Sequence, residues 1–244
     1  MVRSMYPPNT LPGSGRTVSL SVACRVTCFE IRSDAARLKR VRWSDQAPSV
    51  HQRFLTAEPN IESDDSAIAA IAMRVKAKAD GPYGFARAAY DYVLDRVTYG
   101  PPTKFLSGAA CNAAQKGDCG CFVAMFVAIC RAGGVAARPV VGHWALGENQ
   151  WHCWAEFFVA GAGWVPVDLT SGKTSAKKRE FYFGNLDNNR VVVARTMNCK
   201  VKTQRGSRDL GFVQVGTWWW HPAAGSSGGK MKVRTTCHGK RCSE

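Results

Sequence analysis

The chain has 244 residues, enough for one sizeable domain with its own hydrophobic core and a squeeze for two. Its composition, 45% apolar, 10% aromatic and 21% charged with 23 glycines and 11 prolines, excludes collagen-like and wholly disordered chains. The 33 Lys and Arg against 18 Asp and Glu leave a net charge of +15, and +11 of it falls in residues 171–244, a distribution suited to an anionic partner or to a solvated basic surface.

No apolar run approaches the roughly 18–20 residues of a membrane-spanning helix, so a soluble protein is expected. Residues 1–16, with Pro7, Pro8 and Pro12, contain no continuous apolar segment; no signal peptide is read in this chain, and its localisation stays open. Ten cysteines do not make a disulfide scaffold here, because such scaffolds are much shorter and poorer in core residues.

Residues 17–31 alternate, with Val18, Leu20, Val22, Cys24, Val26 and Cys28 on one face, and predict a half-buried strand. Cys24 and Cys28 would lie about 13 Å apart on it, too far to bond to each other. Ser63 or Asp64 is placed to cap a helix with the stripe Ile68, Ile71, Ala72 and Val75, ended by Gly81-Pro82. A second helix is expected from Phe85 to Arg96, burying Ala89, Tyr90 and Val93. Next, Asp118 is a natural N-cap, Cys119 falls in the first turn, and Gly133-Gly134 stops a helix that is apolar nearly all round and therefore central. Strands are predicted at 138–143, 152–159, 164–168 and 190–195, with 171–178 rich in turns. Helices followed by strands imply an α+β fold with helices packed on an antiparallel sheet. Gly225-Ser226-Ser227-Gly228-Gly229 reads as a linker, and a strand ending in Trp218-Trp219-Trp220 is allowed before it.

The chemistry gathers at Cys119. A thiol at a helix N-terminus meets oriented N–H groups and the positive end of the dipole, which favour the thiolate. The Cys119 N–H itself can face an oxyanion. Asp118 opposes the thiolate, so a cationic partner is needed, and His152, opening a strand, can pair with it and act as general base and acid. Asp168, at the end of the following strand, can hold the imidazole tautomer. Cys121 lies roughly 200° around the helix from Cys119 and off that face. His143 is a lesser rival to His152. Glu156 and Trp154 read as packing residues, and Gln115 as a loop residue rather than an oxyanion donor. The tail residues Cys237, His238 and Cys242 with Cys199 or His221 form a weaker zinc alternative; a Cys237–Cys242 disulfide or free thiols are preferred, and no cofactor or metal is expected.

Three segments, GDCGCFVAMFVAICRAGGVAAR, WHCWAEFFVAGAGWVPVD and FYFGNLDNNRVVVAR, together resemble the transglutaminase-like superfamily of papain-like thiol enzymes. The resemblance covers about Phe54 to Arg195. It implies a papain-like, transglutaminase-core fold with Cys119 as nucleophile, His152 as catalytic histidine and Asp168 as the third member. The family's cysteine stands 11 residues before the CRA-type helix end, as Cys119 stands before Cys130. The expected organisation is an N-terminal segment 1–53, a catalytic core 54–195 and a basic extension 196–244. The expected reaction is acyl transfer from an amide of a protein or peptide, acidic or associated with the cell wall, with hydrolysis favoured over transamidation to an amine. Lys177, Lys178 and Arg179 are candidates for docking such a substrate. An inactive binding protein that uses the basic C-terminal surface is the alternative from another class, and nucleic acid is a less favoured partner.

Overall fold

The computed structural model describes residues 23–45, 51–101, 106–148, 150–203, 206–214 and 234–240. The expected Val18–Val22 half of the first strand, Trp218-Trp219-Trp220, the glycine-serine linker, His221 and Cys242 lie outside these residues. Residues 23–30 form no strand: they have no regular structure, and Val26 and Phe29 are 50% and 76% exposed. Alternation needs a neighbouring strand to become a ladder. The described part of this segment gains only one bridge, Ile31 with Leu186.

Side-chain caps set where the helices begin. Asp34 caps the short α1 (Ala35–Leu38). Asp65, rather than Ser63 or Asp64, caps α2 (Ser66–Lys76), because its carboxylate reaches the N–H groups of Ala67 (2.9 Å) and Ile68 (3.1 Å). Ile68, Ile71, Ala72 and Val75 are buried as their spacing predicts. The helix ends at Lys76, well before Gly81-Pro82, which instead opens α3 (Pro82–Arg96) with Pro82 at its first turn, where a missing N–H costs nothing. Strand β1 (Thr98–Tyr99), α4 (Gly108–Ala114) and β2 (Lys116–Gly117) follow; β1 and β2 pair in parallel and deliver the chain to Asp118.

Helix α5 (Cys119–Ala132) is the centre of the core, and every residue from Gly120 to Arg131 is buried. It ends as the sequence predicts at Gly133, where a Cβ would lie 2.0 Å from a ring carbon of Phe85; α3 and α5 approach too closely there for any side chain. The chain continues through β3 (Ala137–Trp144), β4 (Gly147–Glu148), β5 (Trp151–Val159) and β6 (Gly163–Val167). The stretch read as turns contains two short helices, α6 (Leu169–Gly172) and α7 (Ala176–Phe181), capped by Asp168 and Ser175. Strands β7 (Arg190–Ala194), β8 (Asn198–Thr203), β9 (Gly206–Gly211) and β10 (His238–Gly239) complete the order.

Strands β3, β5, β6 and β7 make an antiparallel sheet in the order β6-β5-β3-β7. One face, with Cys153, Ala155, Phe157 and Val141, shares the main core with α5; the other holds a smaller cluster of Val140, Trp154, Tyr182 and Leu186. The α+β expectation is met. Hairpin β8–β9 stands apart from this sheet, and β10 pairs with β4. No helix among the described residues is long and apolar enough to cross a membrane.

Candidate active site

Asp118 uses its carboxylate as the cap of α5, accepting the N–H of Cys121 at 3.1 Å. Cys119 is thus the first residue of a buried helix and only half-buried itself. Its own N–H belongs to the first turn, which has no acceptor within the helix. Packing of α5 on β5 brings the Cys119 thiol against the start of that strand, where it hydrogen-bonds with Cys153 and His152. The Cys153 S–H is the main influence and His152 a further one; together they outweigh burial and the charge of Asp118, holding Cys119 down at about 5. Cys121 points elsewhere, into the core beside Cys111, with which it shares a thiol hydrogen bond.

His152 is 5% exposed, and its Nε2 donates to Asp168 Oδ2 at 2.7 Å, which leaves Nδ1 for Cys119. The ring stacks on Trp144 with centroids 4.5 Å apart. Burial works against its charge, but Asp168 and then Cys119 outweigh it and raise the imidazole to about 9. Asp168 is wholly buried where β6 runs into α6, and its Oδ1 accepts the Ser171 N–H at 2.9 Å. Burial alone would raise its carboxyl; His152, Arg190 and the Ser171 N–H hold it well below the usual carboxylate range.

The three residues singled out by sequence therefore meet. Two more were missed. Arg190, at the start of β7, donates to Asp168 Oδ2 from Nε (3.0 Å) and Nη2 (2.7 Å); a lone arginine leading the apolar run VVVA was the available signal. Gln214, 6% exposed, donates from Nε2 to the carbonyls of Gly142 (2.6 Å) and His152 (2.9 Å), although it lies in the extension after residue 195. Nearby, Phe212 adopts a left-handed φ of 53° and lies against Gly120, the residue after Cys119.

The remaining candidates are used otherwise. Gln115 turns its amide back to the Asn112 carbonyl at 2.6 Å. His143 has Nδ1 2.9 Å from the Trp144 carbonyl oxygen and its ring edge-on to Trp151. Glu156 is paired with Arg138 at 2.6 Å, and Trp154 fills the smaller cluster. Cys199 forms no disulfide among the described residues, and no group of three or more metal-ligating side chains occurs among them. Of the three basic residues on α7, Arg179 is bound to Asp91 and Asp95.

The stretch that holds α5 and the first three strands of the sheet also matches a known family: residues 69–169 fit the model described as Transglutaminase-like superfamily. Among solved structures, a protein of Cytophaga hutchinsonii described as a "putative cysteine protease" is similar over 75% of this chain and 57% of its own, with 19% identity and a TM-score of 0.51. The periplasmic domain of TgpA from Pseudomonas aeruginosa is similar over 56% of this chain and 52% of its own, with 20% identity and a TM-score of 0.45. This chain thus spans little more than half the length of either. No curated protein matches it. The likeness to the Cytophaga structure is one of fold, a papain-like arrangement of a cysteine-bearing central helix against an antiparallel sheet.

Proposed function

We propose that the protein is a thiol acyl-transfer enzyme that attacks an amide carbonyl through Cys119, His152 and Asp168, with water as the favoured acceptor. The observation that carries this reading is the chain of hydrogen bonds from Cys119 to His152 to Asp168, in which the thiol is held near 5 and the imidazole near 9, so that thiolate and imidazolium coexist at neutral pH.

In the proposed cycle the Cys119 thiolate adds to the carbonyl carbon and the carbonyl oxygen becomes an oxyanion facing the Cys119 N–H. The C–N bond breaks as His152 Nδ1 gives its proton to the leaving nitrogen, and a thioester remains. Water then adds, His152 takes its proton, and the C–S bond breaks to release the acid and regenerate the Cys119 thiolate beside the imidazolium. An amine in place of water gives transamidation with the same residues. Cys119 is only partly buried, which supports hydrolysis, since transamidation requires water to be kept from the thioester.

Site-resolved iodoacetamide labelling, read by mass spectrometry from pH 5 to 9, tests the reading. Cys119 should alkylate far faster than the other cysteines already at pH 6, and should lose that advantage in His152→Ala. Equal rates for Cys119 and its neighbours in the folded protein would sink the proposal. Amide turnover measured with and without added amine then separates hydrolysis from transamidation.

A further inference from the structure

A single oxygen, Asp168 Oδ2, accepts three N–H groups from two cations: His152 Nε2 at 2.7 Å, Arg190 Nη2 at 2.7 Å and Arg190 Nε at 3.0 Å. The other oxygen is occupied by the Ser171 N–H. We infer that Arg190 is a positioning residue of the proposed reaction, acting through Asp168 to keep that carboxylate ionised and aimed at His152 Nε2 while the imidazole gains and loses its proton. The inference rests on the acyl-transfer reading above.

A carboxylate with no exposed surface needs a counter-charge at every stage, because an unpaired buried charge is costly. His152 provides one only while it is an imidazolium. Once it has handed its proton to the leaving nitrogen, Asp168 would stand alone without Arg190, whose guanidinium does not deprotonate. Arg190 therefore removes the penalty for proton release, and by sharing Oδ2 it prevents Asp168 from clamping the proton on the imidazole.

Arg190 is itself held on all sides. Its Nη1 donates to Asp187 Oδ1 at 2.6 Å and its Nη2 to Ser171 Oγ at 3.2 Å, while Asp187 Oδ2 accepts the Tyr182 hydroxyl at 2.6 Å. Its guanidinium carbon lies 4.4 Å from the ring centroid of Trp144, the ring that also stacks on His152. Arginine and histidine thus meet twice, at one carboxylate oxygen and at one indole. An ion pair that served packing alone would need neither contact with the imidazole's partners. The other titratable groups facing this array are Cys119 from α5, Cys153 beside His152 and Tyr90 from α3 behind Asp168.

The test is titration of the His152 ring by NMR in the full chain labelled at histidine, with the His152→Ala variant for assignment and iodoacetamide labelling of Cys119 in parallel. In Arg190→Gln the His152 titration should move up by about one pH unit, as loss of a neighbouring cation demands, and in Arg190→Lys it should stay near its wild-type position. A folded Arg190→Gln protein whose His152 titrates unchanged, or lower, overturns the inference. Should Arg190→Gln fail to fold, Asp187→Asn decides: it removes the competing carboxylate, so the charge of Arg190 bears more fully on the pair and His152 should titrate lower, whereas no change overturns the inference. Slow alkylation of Cys119 in the wild type would instead count against the enzymatic reading, and the His152 titrations would stay interpretable without it.

Discussion

The side-chain amide of Gln214 donates to the carbonyl oxygen of His152 at 2.9 Å and, from the same nitrogen, to that of Gly142 at 2.6 Å. Gly142 and His152 are directly opposite each other in the β3–β5 ladder. A residue from beyond the matched stretch 69–169 therefore ties together the two strands at the point where the imidazole is carried. Gln214→Ala should lower unfolding free energy by about 1–2 kcal/mol, the range for lost hydrogen bonds to buried groups, as read by urea unfolding. An unchanged midpoint would mean that this contact is dispensable.

The pH dependence of Cys119 follows from its two neighbours. Its lowered value of about 5 and the raised value of about 9 for His152 bracket a window in which thiolate and imidazolium coexist. Alkylation should rise with a midpoint near pH 5, and any turnover that needs a protonated imidazole should fall as pH rises through about 9. In His152→Ala the rate at pH 6 should drop at least ~10-fold as the thiol moves back toward its ordinary value.

Cys153 supplies the largest stabilisation of the Cys119 thiolate through its S–H. Cys153→Ala removes that donor, so the alkylation midpoint of Cys119 should move up by roughly one pH unit. Cys111→Ala, which alters only the pair with Cys121, should leave it in place. A midpoint that moves in the second variant and not in the first would reverse the assignment of the two thiol pairs.

Asp168 has a depressed carboxyl, so its contribution to stability is present above the unfolded carboxylate value of about 3.9 and is lost as pH falls below it. Asp168→Asn should remove this acid-side dependence. It should also leave Arg190 with one buried carboxylate partner fewer, costing about 3–5 kcal/mol, as measured by denaturant unfolding at pH 7 and at pH 3. If the variant and wild type lose stability in parallel between these pH values, the low carboxyl of Asp168 is not the cause.

Arg179 and its neighbours on α7 separate structure from surface charge. Arg179→Ala breaks pairs with Asp91 and Asp95 and should cost about 1 kcal/mol as a partly exposed network. Lys177→Ala together with Lys178→Ala should change stability by less than about 0.5 kcal/mol. Thermal unfolding of the two variants reads the difference, and only the lysine pair is then suited to testing an acidic substrate.

Much of the core was legible because local chemistry decides it. The stripe of α2 follows from a period of 3.6, and α5 from a capping aspartate, an apolar run and a glycine stop. The meeting of Cys119, His152 and Asp168 was anticipated because each stands at the end of an element, where strand order alone brings ends together. What sequence could not supply was every relation that depends on which distant surfaces touch. Residues 23–30 alternate as a strand should, yet the described chain offers them no ladder, since alternation specifies a face and not a partner. Nothing in the sequence singled out Cys153; only the packing of α5 on β5 sets its thiol against Cys119. Arg190 and Gln214 reach the site from 22 and 62 residues beyond Asp168 and His152, respectively. Their roles arise from burial, which forces a charged carboxylate to find a second cation and turns a glutamine into a brace, and burial is a property of the folded whole.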